Sequence, residues 1–396
     1  MRRYRSEVSQ AELERRWSRV RAAMRQQGLD VLVMQNDSDW VGGMVRWFTD
    51  VPATAGYPRT VLFFADRPMT VVEMGPFGGR RRPAADDPGY RGVERVLTTP
   101  AFVSVAYTHA YEPALVLEAL AEAGARHVGL VNPGALPHAL TKALQERFVE
   151  WVDASDLVDT IKAVKSPEEI DLLRRAAALQ DEVFAATLDF IRPGVRDIDV
   201  ANHAQAVAHR LGSDQGILLG TSARVGLPTR FAGRQFQGRQ MAQGDHFTFL
   251  IEVSGPGGMY VEVARTLVLG TASDKLLDTF ECVREAQAHT LSLMRPGAVP
   301  AQIAHAHDDW LAARGLPLET RLYAHGQGVD LVERPLIRHD ETLPLAEGMC
   351  MVVHPSFDDP EVFAVVCDNY LVERDGMSAC LHRTEQKIFE VPCAGR

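Results

Sequence analysis

Long apolar runs are missing from this chain of 396 residues. None approaches the roughly 20 residues of a helical membrane span, so no such span is expected. The basic opening Met1-Arg2-Arg3-Tyr4-Arg5 leads into a polar stretch and not into the apolar core of a signal peptide, and a cytoplasmic location is the expectation. Cysteine is scarce. Cys282, Cys350, Cys367, Cys380 and Cys393 are odd in number and show no close zinc-type pairing, which argues against a disulfide framework and for reduced thiols. Positive charge is also in deficit: with a formal net charge of -10 and no long basic tract, a nucleic-acid partner is disfavoured. Arg80-Arg81-Arg82 is the local exception and reads as a solvated loop. Histidine is absent between His209 and His246.

The length leaves room for two domains, since domains cluster near ~100–200 residues. Residues 10–27 read as an amphipathic helix, and Gly28-Leu29-Asp30 leads into Val31-Leu32-Val33-Met34, a buried strand bounded by Asn36-Asp37-Ser38. Strands at 60–64 and 69–72 flank the turn Asp66-Arg67-Pro68; a helix at 114–124 precedes a short strand at 127–131. This alternation predicts an α/β domain over 1–160 and a second domain over 161–396. Between them, Lys165-Ser166-Pro167-Glu168-Glu169-Ile170 holds a capping serine, a first-turn proline and a glutamate placed to reach back to the cap N–H.

Two segments near the C-terminus carry the chemistry. Tyr323-Ala324-His325-Gly326-Gln327-Gly328 puts an imidazole among glycines, and Met351-Val352-Val353-His354-Pro355 ends an apolar strand on a second imidazole. Both can converge on one metal or one substrate. His325-Gly326-Gln327-Gly328 resembles the His-Gly-x-Gly segment of the pita-bread enzymes: methionine and prolyl aminopeptidases, prolidase, creatinase and a sulfonium lyase. Val164-Lys165-Ser166-Pro167-Glu168-Glu169-Ile170 resembles the segment opening the catalytic domain in the prolidase and creatinase branch. Further landmarks follow in family order at Arg192-Pro193-Gly194-Val195, Gly244-Asp245, Arg265-Thr266, Arg295-Pro296-Gly297 and Glu347-Gly348-Met349. The resemblance implies an α+β fold: a C-terminal pita-bread domain, a curved antiparallel sheet covered by helices, behind an N-terminal α/β creatinase-type domain.

The metal-dependent members bind two ions through Asp, Asp, His, Glu and Glu. The corresponding positions here are Glu252, Glu262, His325, His354 and Cys367, of which only the histidine at 325 is unchanged. A standard dinuclear site is therefore not expected. One ion's ligand set survives in altered form as Glu262, His325, His354 and Cys367, suited to a single zinc or iron ion. The creatinase resemblance also allows a metal-free pocket with the two histidines hydrogen-bonded and Cys367 as a small buried hydrophobe.

Peptidases of this fold use a histidine upstream of the Gly-Asp turn and another seven residues after the His of His-Gly-x-Gly. The first falls in the histidine-free stretch and the second is Val332. Xaa-Pro hydrolysis is accordingly not expected. Glu252, Glu262 or Glu333 takes over proton transfer only if burial or neighbouring charge raises its pKa. Arg265 and Arg334 are candidates for a substrate carboxylate, while Arg338 reads equally well as a surface ion pair. Tyr57-Pro58-Arg59 looks similar to the aromatic-x-Arg element that creatinase-like dimers place over the partner's active site, so a homodimer is implied. His305 and His307, two apart on the helix 301–314, do not form an i, i+4 metal pair and are expected to face solvent. The expectation is an enzyme hydrolysing a carbon–nitrogen bond in a compact carboxylate or amine substrate, creatinase-like and non-peptidase. Elimination on a carboxylate substrate and a non-catalytic binding module are the other readings.

Overall fold

The computed structural model describes residues 8–36, 43–54, 56–148 and 150–393. The chain divides into two compact units, Met1–Lys162 and Ala163–Arg396.

In the first unit, helix α1 (Gln10–Gln27) starts where the Ser9 side chain accepts from the Glu12 N–H and stops at Gly28, whose φ of 69° suits glycine. Strands β1 (Val31–Asn36), β2 (Arg59–Phe64), β3 (Met69–Met74), β4 (Gly79–Arg81), β5 (Val93–Thr99), β6 (Val128–Leu130) and β7 (Trp151–Asp153) form one sheet in the order β4-β5-β3-β2-β1-β6-β7. The β1–β2 and β2–β3 pairs are antiparallel, while β1–β6 and β6–β7 are parallel. Val31, Val33, Leu62 and Val72 pack with Val116 and Leu120 of α3 (Tyr111–Glu122) and Leu140 of α4 (His138–Arg147). α2 (Met44–Thr49) and α5 (Ser155–Ala163) complete the helices before the second unit. The apolar run Val31–Met34 is buried throughout because it lies inside the sheet, as continuous apolar strands require.

The second unit opens on α6 (Pro167–Phe190), whose capping box forms as the sequence predicts: Ser166 Oγ accepts from the Glu169 N–H and Glu169 accepts from the Ser166 N–H. α6 and α7 (Asp197–Leu211) pack on a four-stranded sheet of β8 (Gly216–Ala223), β9 (His246–Val253), β10 (Val263–Leu269) and a short C-terminal strand, Phe389–Val391. The helices α8 (Asp274–Leu293) and α9 (Pro300–Ala312) accompany a second sheet containing β11 (Ala324–Gly326), β12 (Glu333–Leu336), β13 (Cys350–Val353) and a longer strand, Asp368–Glu373. The two sheets meet at an antiparallel bridge between Ala264 and Cys367. That seam positions the site.

Candidate active site and metal centre

The β9–β10 register pairs Ile251 with Val263, and one further step sets Glu252 opposite Glu262. On the other sheet, His325 pairs with Val352, and the His354 N–H donates to the Tyr323 carbonyl at 2.7 Å. The glycines of His-Gly-x-Gly have a physical reason. A Cβ on Gly326 would sit 2.5 Å from the Arg334 carbonyl oxygen, and one on Gly328 would sit 2.7 Å from Lys165 Nζ. β11 is thereby allowed to lie close against β12, which fixes where His325 points.

Glu262, His325 and His354 converge: one ligand atom from each lies within 4.8 Å of the other two. The two imidazole rings are 5.2 Å apart at 75°, and His354 Nε2 is 3.6 Å from a Glu262 carboxylate oxygen. His325 Nδ1 lies 2.8 Å from its neighbour's carbonyl, Gly326 O; a carbonyl only accepts, so Nδ1 carries the proton and Nε2 keeps its lone pair. Cys367 Sγ donates to Glu262 Oε1 at 2.8 Å.

Burial dominates the electrostatics. It pushes both imidazoles down, His354 to about 4, so both are neutral. Burial and then the Glu262 charge hold Glu252 well above the usual carboxylate range. For Glu262, burial pushes up, but the charge either imidazole takes up when protonated, and the hydrogen bond from the Cys367 thiol, pull it below the usual carboxylate value. Burial and Glu262 keep Cys367 as a thiol. The two glutamates share a hydrogen bond, which requires a proton between them.

A second set of residues, not expected at the site from the sequence, orients this pair. The Glu262 N–H donates to Asn369 Oδ1 at 2.8 Å, Asn369 Nδ2 donates to Gln327 Oε1 at 2.7 Å, and Gln327 Nε2 donates to Glu252 Oε1 at 2.7 Å. A backbone N–H only donates, so its direction fixes both amides, and Gln327 must present its NH₂ to Glu252. A glutamine at the x of His-Gly-x-Gly, fully buried, was the available signal.

Several predicted site residues lie elsewhere. Arg265, expected at the substrate, is fully buried and tied to Asp368 at 2.7 Å and to the carbonyls of Thr384 and Glu385. Glu333, expected as a proton carrier, pairs with Lys165 and accepts the N–H groups of Val329 and Asp330, so it braces the loop after Gly328. Arg334 is forked onto Glu341. His307, expected in solvent, is buried, bonded to Thr290 at 2.9 Å and stacked on Tyr323. Tyr57 is exposed on the first unit, where Arg59 pairs with Glu73 at 3.0 Å and both line a cavity of about 300 Å³. Arg338 forms a surface pair with Asp340.

The donor set fits one metal ion. His354 Nε2 is buried and has no hydrogen-bond partner, an orphaned lone pair of the kind a ligand satisfies. Two neutral imidazoles and a carboxylate match zinc or non-haem iron, with Cys367 beside them.

These features define a hydrolase class, the pita-bread enzymes. Residues 171–374 match Metallopeptidase family M24 and residues 16–164 match the Creatinase/Prolidase N-terminal domain. The chain belongs to family M24, whose enzymes use divalent metals. It is 26% identical over 245 residues to the uncharacterized peptidase YqhT of Bacillus subtilis, covering 61% of this chain and 68% of the other. To the Xaa-Pro dipeptidase of Pyrococcus horikoshii it is 23% identical over 278 residues, covering 67% and 76%. Its fold superposes on the solved Xaa-Pro dipeptidase of Bacillus anthracis with a TM-score of 0.75 at 21% identity, covering 96% and 99%. No helix among the described residues is long and apolar enough to cross a membrane.

Proposed function

We propose that the chain hydrolyses an amide-type carbon–nitrogen bond in a compact, dipeptide-sized substrate at a site holding one transition-metal ion. The observation carrying this is the convergence of Glu262, His325 and His354 around the unpartnered His354 Nε2. Relatives named as Xaa-Pro dipeptidases support a peptide-type bond and weigh against the creatinase-like, non-peptidase reading. The departures at Glu252, His354 and Cys367 support one ion in place of two. When bound, that ion supplies Lewis acidity toward the scissile carbonyl. The chain's own residues do the rest. Glu262, His325 and His354 hold the ion, and Glu252 keeps the shared proton beside Glu262, where a leaving nitrogen needs one. Gln327 keeps Glu252 aimed. A homodimer, with Tyr57 and Arg59 of one copy serving the other's site, is the assembly the family resemblance suggests.

Elemental analysis of protein purified without chelator should return about one zinc or iron per chain; two tightly bound ions would reject the single-ion site. Xaa-Pro and other small dipeptides, assayed with added zinc, iron or manganese in labelled water, should release free amine with label in the acid. Release without label would move the reaction to elimination. No turnover on any dipeptide would return the substrate to the small non-peptide amides.

A further inference from the structure

The arginines that the sequence offers for a substrate or the site are each held by an acidic side chain: Arg59 by Glu73, Arg265 by Asp368, Arg334 by Glu341 and Arg338 by Asp340. A guanidinium already forked onto a carboxylate is a poor receptor for another, because the incoming anion must first displace its partner. Arg321 is different. It is exposed, and no ion pair engages its guanidinium among the described residues. The nearby Glu319 is occupied otherwise: its Oε1 accepts the Arg321 backbone N–H at 3.1 Å, and its Oε2 accepts the N–H and hydroxyl of Ser356 at 2.9 and 3.2 Å.

Arg321 also sits at the site. Its Nη1 donates to Ser356 Oγ at 2.8 Å, two residues past His354, and its charge is felt at the His354 imidazole. Its guanidinium lies 5.6 Å from the centre of the Phe231 ring, which meets Phe363 edge to face at 5.4 Å. Phe231 packs on the apolar cluster that contains Val352 and Cys367. Val352 is the strand partner of His325, and the Cys367 thiol touches Glu262. An unpaired cation and a half-buried aromatic face therefore lie side by side next to the candidate metal ligands, within one unit.

We propose that Arg321 and Phe231 form the carboxylate subsite of this enzyme: the guanidinium takes the substrate's carboxylate, and the Phe231 ring takes the apolar group beside it. Ser356 holds the guanidinium through its hydroxyl. The inference rests on the hydrolytic reading only for the identity of the occupant.

Binding, read without turnover, tests it. N-acetyl-L-leucine and N-acetyl-L-leucinamide, identical except for the charge, are titrated into the metal-containing protein by calorimetry. The acid should bind at least about tenfold more tightly than the amide, the scale of one charge-assisted contact. Arg321→Gln should erase that preference and leave amide binding alone, Arg321→Lys should restore part of it, and Phe231→Ala should weaken both ligands alike. Arg338→Gln, at a surface pair, should change nothing. Equal binding of acid and amide, no binding of the acid, or a preference that survives Arg321→Gln overturns the subsite. Acid preference in a protein that cleaves no dipeptide would reject the dipeptide substrate and keep the subsite.

Discussion

Two groups of buried charge in the second unit are completed to different degrees. Arg265 directs its donors to Asp368 and to the carbonyls of Ala264, Cys367, Thr384 and Glu385, while Asp368 takes a further bond from Gln386. Every donor of that guanidinium has an acceptor. The seam between Glu252, Glu262, His325 and His354 is packed as tightly, yet it leaves His354 Nε2 without a partner and obliges two carboxylates to share a proton. The same physics explains both. A buried charge that serves the scaffold must be compensated within the fold, because an uncompensated one costs several kcal/mol. A site meant for a ligand stays incomplete until the ligand arrives.

That contrast sets an order of effects. Arg265→Met strands Asp368 and should cost about 3–5 kcal/mol in denaturant unfolding. A cost under about 1 kcal/mol would show that the pair is not structural. His307 is the intermediate case: Nδ1 is bonded to Thr290, Nε2 has no partner, and burial lowers its pKa to about 4. Its folded pKa is below the unfolded value near 6.5, so the unfolded chain binds more protons between those limits. Stability therefore rises with pH across that window and falls as pH drops from about 6.5 toward 4, by up to about 3 kcal/mol. Thermal melts across the window should show that slope, and His307→Gln should reduce it, leaving the share of His354, which burial lowers into the same range; an unchanged slope assigns it to other groups.

Smaller effects should come from the site itself. Gln327→Leu leaves Asn369 Nδ2 and Glu252 Oε1 without each other's bridge and should cost about 1–3 kcal/mol, with turnover falling while ion content stays near that of the parent. Full turnover would remove Gln327 from the positioning of Glu252. His354→Leu removes an atom that bonds to nothing, so stability should move by less than about 1 kcal/mol while bound metal falls to near zero. If His354→Leu instead destabilises the chain as much as Arg265→Met, the distinction between completed and open charge fails.

The fold was readable because its signals are local or ordered. The apolar run at Val31–Met34, the capping box at Ser166 and the glycines at 326 and 328 each act over a few residues, and the structure supplies the steric reason for the last two. The convergence of His325 and His354 was readable through family pattern; their 29-residue separation says nothing of where the rings point. His307 is buried where its spacing suggests solvent, because spacing on its own helix gives no information about Tyr323 and Thr290, which pack against it.

The sequence by itself determined the elements, their order and the residue types at the five ligand positions, because periodicity, caps and motif order are properties of neighbouring residues. Tertiary structure decided which polar groups are spent and which remain open. Arg265 meets Asp368, Glu333 meets Lys165 and Gln327 meets Glu252 only when strands far apart in sequence are brought together. Pairing and burial depend on those distant partners, and they alone separate an arginine that holds the scaffold from one, Arg321, that still has its charge to offer.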